Sequence, residues 1–129
     1  MAIGVLIMGA SGSGKTYSLK RFSASEVGVI SVEKGRLPFK SDIKVMKVPK
    51  LEDTNAELNS YATIHRAKYS WIMDVVKKAK VKSIVIDDSQ YLLVNELFDR
   101  AGEKGYDKFT DMAANFRNLV PFINELEEE

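Results

Sequence analysis

From Ile3 to Met8 the chain is apolar at every position but Gly4, and the run stops at Gly9. Continuous rather than alternating hydrophobicity predicts a strand covered on both faces, a central strand of a parallel sheet. Three glycines within Gly9–Gly14 predict a loop, and Lys15 to Phe22, with apolar Leu19 and Phe22, predicts a helix after it. Val27 to Val32 is a second β-branched run, and Ile43 to Val48 alternates apolar and basic residues before Pro49, so two further strands are expected. Between Leu58 and Ala79 the residues Leu58, Ala62, Tyr69, Ile72, Met73, Val76 and Ala79 form a helical stripe with Lys and Arg mostly opposite. His65 falls on that stripe and reads as a packed, hydrogen-bonded helix histidine. Tyr61, Tyr69 and Trp71 read as packing residues, with stacking on a base as the alternative for an exposed one. Ser83 to Ile86 predicts a strand running into Asp87 and Asp88, and Tyr91 to Arg100 a helix stopped by Gly102. Phe109, Met112, Ala113, Phe116, Val120, Ile123 and Leu126 keep one helical phase, so Pro121 must kink this last helix or restart it.

The order β, α, β, β, α, β, α, α predicts an α/β fold: a mainly parallel sheet flanked by helices. One crossover strand is expected and not found, since the sequence ends within or just after a helix. The terminal run Glu125–Leu126–Glu127–Glu128–Glu129 also places acids at the negative end of a helix dipole. Both features raise the expectation of a C-terminally truncated core. At 129 residues, 45% apolar, the chain is read as one domain over residues 1–129. Without cysteine, disulfides, thiolate metal sites and a cysteine nucleophile are excluded. No stretch approaches the ~20 apolar residues of a membrane helix, so a cytoplasmic location is expected.

Gly9-Ala10-Ser11-Gly12-Ser13-Gly14-Lys15-Thr16 satisfies G-x-x-x-x-G-K-[ST] at every fixed position. Its setting, after a predicted strand and before a predicted helix, is the one in which that pattern cradles phosphates. Glycines let successive amides turn inward around an anion, and a helix N-terminus adds a positive dipole end. Lys15 is the candidate to bridge β- and γ-phosphates, and the Thr16 hydroxyl to ligate Mg²⁺. The candidate binding set is Gly9 to Thr16 together with Tyr17, with ATP and Mg²⁺ as cofactors.

A metal beside a triphosphate calls for a placed carboxylate. Asp87 ends an apolar strand at its C-terminal edge, where ligands sit in open α/β sheets, and is the second candidate metal residue beside Thr16. Asp88 and Glu33 are rival candidates to activate water, and Gln90 a candidate to orient the γ-phosphate.

Charge divides unevenly along the chain. Residues 1–82 carry 15 Lys+Arg against 7 Asp+Glu, and residues 83–129 carry 4 against 11, within a net charge of +1. Lys34, Arg36, Lys40, Lys44, Lys47 and Lys50 form one basic cluster around Phe39. Arg66, Lys68, Lys77, Lys78, Lys80 and Lys82 form another. Both suit sequence-independent contact with nucleic-acid phosphates, and equally the protection of strand edges. Arg100 and Arg117 are candidates to reach a neighbouring subunit's nucleotide in a homo-oligomer.

Beyond the phosphate loop, the segments Lys34-Gly35-Arg36-Leu37-Pro38-Phe39, Ile86-Asp87-Asp88-Ser89-Gln90-Tyr91-Leu92, Asn95-Glu96-Leu97-Phe98-Asp99-Arg100-Ala101 and Gly105-Tyr106-Asp107-Lys108-Phe109-Thr110-Asp111 resemble bacteriophage ATP-binding proteins, the single-domain RecA-like ATPases associated with phage DNA recombination and annealing. The resemblance implies a RecA-like P-loop NTPase core using ATP and Mg²⁺. It implies single-stranded DNA or a phage DNA-annealing protein as partner, and the host cytoplasm as location. By position it assigns Lys15 and Thr16 to the nucleotide motif and Asp87 to the metal side, and Glu33 stands where a recombinase-type ATPase holds its water-activating glutamate. The expected function is an ATPase in phage DNA recombination or replication. The alternatives are a nucleotide-binding switch or assembly module with little hydrolysis, and a small-molecule kinase.

Overall fold

The computed structural model describes residues 4–10, 13–33, 35–49 and 60–126. Its elements are a 3₁₀ turn (Tyr17–Arg21), β1 (Val27–Ser31), β2 (Val45–Lys47), α1 (Tyr61–Lys78), β3 (Ser83–Asp87), α2 (Gln90–Asp99), α3 (Asp107–Arg117) and α4 (Leu119–Glu125). The three strands form one parallel sheet in the order β2-β1-β3, with Ser31 opposite Lys47 on one side and opposite Asp87 on the other. Helices flank this sheet, as the α/β reading requires.

β1 is central because its side chains are apolar on both faces. Ile30 and Val32 join Tyr69 and Ile72 of α1, Leu92 of α2 and Leu119 of α4 in the main core. Val27 and Val29 face the other way and pack with Leu19, Ile43 and the loop residues Leu37 and Phe39. The α-helices thus cover one face, while the 3₁₀ turn and a loop cover the other. Parallel strands are stable only with both faces covered.

Local signals explain most element ends. Ser60 caps α1, its hydroxyl accepting the Thr63 amide at 3.3 Å. Ser23 and Glu26 close the turn before β1, the Glu26 carboxylate accepting from both the amide and the hydroxyl of Ser23. Pro121 restarts rather than kinks the last helix. Asn118 ends α3 and caps α4, leaving Pro121 in the first turn of α4, where no intrahelical amide bond is lost.

Two sequence expectations fail. The apolar run 3–8 is not a sheet strand over its described part: residues 4–10 are irregular, and Val5, Leu6, Ile7 and Met8 are 70–81% exposed. Such a run is buried only between strands and under cover on both sides. Among the described residues β3 pairs with β1 alone, and Ile123 of α4 lies 3.4 Å from where a Cβ on Gly4 would stand. The helix expected over Lys15–Phe22 is a single five-residue 3₁₀ turn. The Ser18 hydroxyl turns back onto the Lys15 carbonyl at 2.6 Å, competing with helix bonding, and Phe22 is already extended. Ile3, Lys34, Lys50, Leu58 and Glu127–Glu129 lie outside the described residues.

Candidate functional site

Of the phosphate-loop candidates, Gly9, Ala10 and Ser13 to Tyr17 are described, while Ser11 and Gly12 lie outside the described residues. The loop uses its glycines where side chains would not fit. Gly14 has φ +91°, and a Cβ on Gly9 would stand 2.7 Å from the Ser13 hydroxyl oxygen. The turn is closed by the Ser13 amide donating to the Ala10 carbonyl at 3.1 Å. Lys15 is exposed, and its ammonium donates to the carbonyls of Gly9 and, at 3.0 Å, Ala10. It therefore curls over the loop it belongs to, held by neutral acceptors. A single 3₁₀ turn follows the loop, so no long helix lends its dipole there.

Thr16 and Asp87, 71 residues apart, meet directly. The Thr16 hydroxyl donates to Asp87 Oδ1 at 2.8 Å, and both residues are half-buried. The sheet makes this contact. Asp87 is the last residue of β3, held in register with Ser31 of β1, and its carbonyl accepts the Val32 amide at 3.2 Å. Two hard oxygen atoms from separate elements thus converge at the C-terminal sheet edge, a donor set that suits Mg²⁺ completed by phosphate oxygens and water. Among the described residues no cluster of three or more His, Asp or Glu could cage a metal by itself.

Asp88 turns the chain from β3 into α2 with φ 58°, a left-handed conformation that Asp tolerates better than most residues. Glu33 lies two residues beyond β1, half-buried, and its Oε1 accepts from Asn95 Nδ2 at 2.8 Å. Glu33 follows by two residues the Ser31 position that pairs with Asp87, so both acids lie toward the C-terminal edge of neighbouring strands. Gln90 opens α2 and is exposed.

On the far side of Glu33 a cavity of about 300 Å³ opens between the ends of β1 and β2 and helices α1 and α2. His65, 2% exposed, lines it, and its Nε2 is 2.6 Å from Asp99 Oδ2. Tyr69 lines it too; burial, with the Glu96 carboxylate nearby, pushes its phenol up from the usual tyrosine range. His65 is the packed, hydrogen-bonded helix histidine that the sequence predicts and Tyr69 is packed, whereas sequence reasoning missed Asn95 as the partner of Glu33. The signal was helical spacing: Tyr91, Leu92, Asn95 and Asp99 recur on one face of α2.

Arg100 does not act as a mobile arginine. It is 5% exposed, and its guanidinium donates to Glu96 at 2.9 Å, to Asp111 at 2.7 Å and to both oxygens of Glu103 at 2.8 and 3.0 Å. The Glu103 hydrogen bonds, then those to Asp111 and Glu96, hold it even more firmly protonated than a free arginine. Arg117 is exposed in the last turn of α3.

No helix among the described residues is long and apolar enough to cross a membrane. A family profile described as an AAA domain matches residues 4–124. No curated protein and no solved structure matches the chain.

Proposed function

The chain belongs to the AAA-domain family, and is thus an ATP-binding P-loop protein; on that premise we propose that it is a Mg²⁺-dependent ATPase of bacteriophage DNA recombination or replication, working in the host cytoplasm on single-stranded DNA or with a DNA-annealing protein. The observation that carries the ATPase reading is the 2.8 Å contact between Thr16 and Asp87, because nothing in the packing of either residue demands that a threonine beside an exposed loop meet a carboxylate 71 positions away.

In this reading the Lys15 ammonium exchanges its bonds to the Gly9 and Ala10 carbonyls for phosphate oxygens, and Tyr17 flanks the bound nucleotide. Thr16 and Asp87 would hold Mg²⁺, which would supply charge neutralisation to the phosphates. A water oxygen attacks the γ-phosphorus, the bond from phosphorus to the β–γ bridging oxygen breaks, ADP departs, and Glu33 or Asp88 takes the proton of the water. The half-buried position of Glu33 and its bond to Asn95 support it as the aligned base, with Asp88 as the rival. Exposed Lys44 and Lys47 and half-buried Lys68 support contact with a nucleic-acid backbone.

The deciding measurement is phosphate release from ATP with and without Mg²⁺ and single-stranded DNA. Mg²⁺-dependent release, stimulated by the DNA and absent in Lys15→Ala, is expected; no release above background from the full-length chain overturns the enzyme reading. The exposure of Val5–Met8 outside the sheet favours one alternative, a nucleotide-dependent assembly module. That protein would change its association state on binding ATP without turning it over.

A further inference from the structure

The cavity between α1 and α2 is separate from the phosphate loop. It sits at the ends of β1 and β2, whereas Asp87 ends β3 on the other side of β1, and Glu33 belongs to its lining. Three features show what it is built to take. Tyr69 lines it, the residue is 3% exposed, and its hydroxyl oxygen has no hydrogen-bond partner among the described residues. A buried hydroxyl left without a partner is costly, and a polar ligand atom reaching that depth would satisfy it. The charges around the cavity are unequally committed. Of its acids, Glu33 is bonded to Asn95 and Asp99 to His65, whereas neither Lys47 nor Lys68 makes an ion pair or side-chain hydrogen bond among the described residues. Asn95 is neutral, so Glu33 keeps its charge, and what the cavity offers an anion is the pair of ammonium groups, unpaired among the described residues, of Lys47 on β2 and Lys68 on α1. The rings of Tyr91 and Phe98 complete the lining, Phe98 being 74% exposed at the mouth, and offer a surface for a planar group.

We propose that this cavity is a second ligand site that holds one nucleotide unit, its phosphate on Lys47 and Lys68, its base against Phe98 and Tyr91, and a polar atom on the Tyr69 hydroxyl. A volume of about 300 Å³ is at the small end of ligand pockets and matches one such unit. The unit is either a free nucleoside monophosphate or one residue of a single strand threaded past the mouth. The site does not depend on ATP hydrolysis.

The test measures binding of thymidine monophosphate by equilibrium dialysis and of a fluorescein-labelled oligothymidylate by anisotropy. Wild-type protein binds at least one of them; the monophosphate alone identifies a free nucleotide as ligand, and the oligonucleotide alone a strand. Lys68→Ala and Phe98→Ala each weaken binding by about tenfold, the effect of losing one phosphate or stacking contact. Tyr69→Phe weakens it several-fold while leaving the melting temperature unchanged or higher, because the deleted hydroxyl has no partner among the described residues. Lys15→Ala binds as wild type does, even if ATP binding is lost, which separates this site from the nucleotide reading of the loop. The proposal is overturned if wild type binds neither probe, if Tyr69→Phe and Lys68→Ala bind undiminished, or if Lys15→Ala abolishes the signal.

Discussion

Lys15 and Arg100 are both cations, and the protein treats them in opposite ways. Arg100 joins α2 to α3, 5% exposed, with three carboxylates on its guanidinium. Lys15 is exposed at the loop rim and bonded only to carbonyls. A cation already surrounded by anions has little left to offer a ligand, whereas one resting on neutral oxygens binds a phosphate more strongly than its present partners. The α2–α3 junction is thus a structural use of charge and the loop a reserved one, so substitutions in the two places should separate stability from nucleotide chemistry.

The largest effect is expected at the junction. Arg100→Met strands the Glu96 carboxylate, which is 0% exposed, bonds Arg100 through Oε2 and has no partner for Oε1 among the described residues, and should cost about 3–5 kcal/mol of unfolding free energy. Adding Glu96→Leu should recover much of that loss, since an apolar pair replaces a buried ion pair at little cost. Denaturant titration of both variants checks this, and a single variant as stable as wild type would remove the contrast with Lys15. At the loop the effect moves from stability to chemistry. Lys15→Ala should change unfolding by less than about 0.5 kcal/mol, as for an exposed surface residue, while lowering ATP turnover by about a hundredfold or more, the scale of losing one charge-stabilising donor. Parallel melts and phosphate-release assays read the two halves of that statement.

The same contrast explains what could be read from sequence. Thr16 and Asp87 were legible as a pair because their chemistry is written locally: a glycine loop ending in Lys-Thr, and an apolar run ending in acid. The parallel sheet then had only to bring β3 into register. β1 was legible because a β-branched run buried on both faces looks the same in any context. The run 3–8 carries that same pattern and its described part, residues 4–8, lies exposed, because hydrophobicity records a demand for neighbours and not whether a neighbouring strand meets it. The cavity was hidden for another reason. Its lining comes from β1, β2, α1 and α2, and no local spacing says that Glu33 and Asn95, 62 residues apart, will share a hydrogen bond.

A smaller effect tests the bridge between the two ends of the site. Thr16→Val keeps shape and deletes the donor to Asp87, and should cost about 1 kcal/mol of stability, the scale of a partly buried hydrogen bond. The telling readout is the Mg²⁺ concentration needed for half-maximal nucleotide binding. It should rise in Thr16→Val and in Asp87→Asn, and stay as in wild type for Asp111→Asn, a carboxylate of the Arg100 network. An equal response in all three would mean that Thr16 and Asp87 have no special relation to the metal.

The smallest effect concerns acid, and it belongs to the junction alone. The hydrogen bonds from Arg100 hold the Glu103 carboxyl below its ordinary value of 4.5. A carboxylate with a depressed folded value binds fewer protons folded than unfolded in that window. Its contribution is therefore complete above about pH 4.5 and is lost as the pH falls through the lower folded value. Because Glu103 is exposed, the contribution is modest. The melting-temperature gap between wild type and Glu103→Gln should consequently be widest near neutrality and narrow on acidification. Lys15→Ala leaves the junction intact and should run parallel to wild type over the same range. A gap for Glu103→Gln that widens toward low pH would mean that Arg100 is held chiefly by Glu96 and Asp111, the deeper partners on which the first prediction depends.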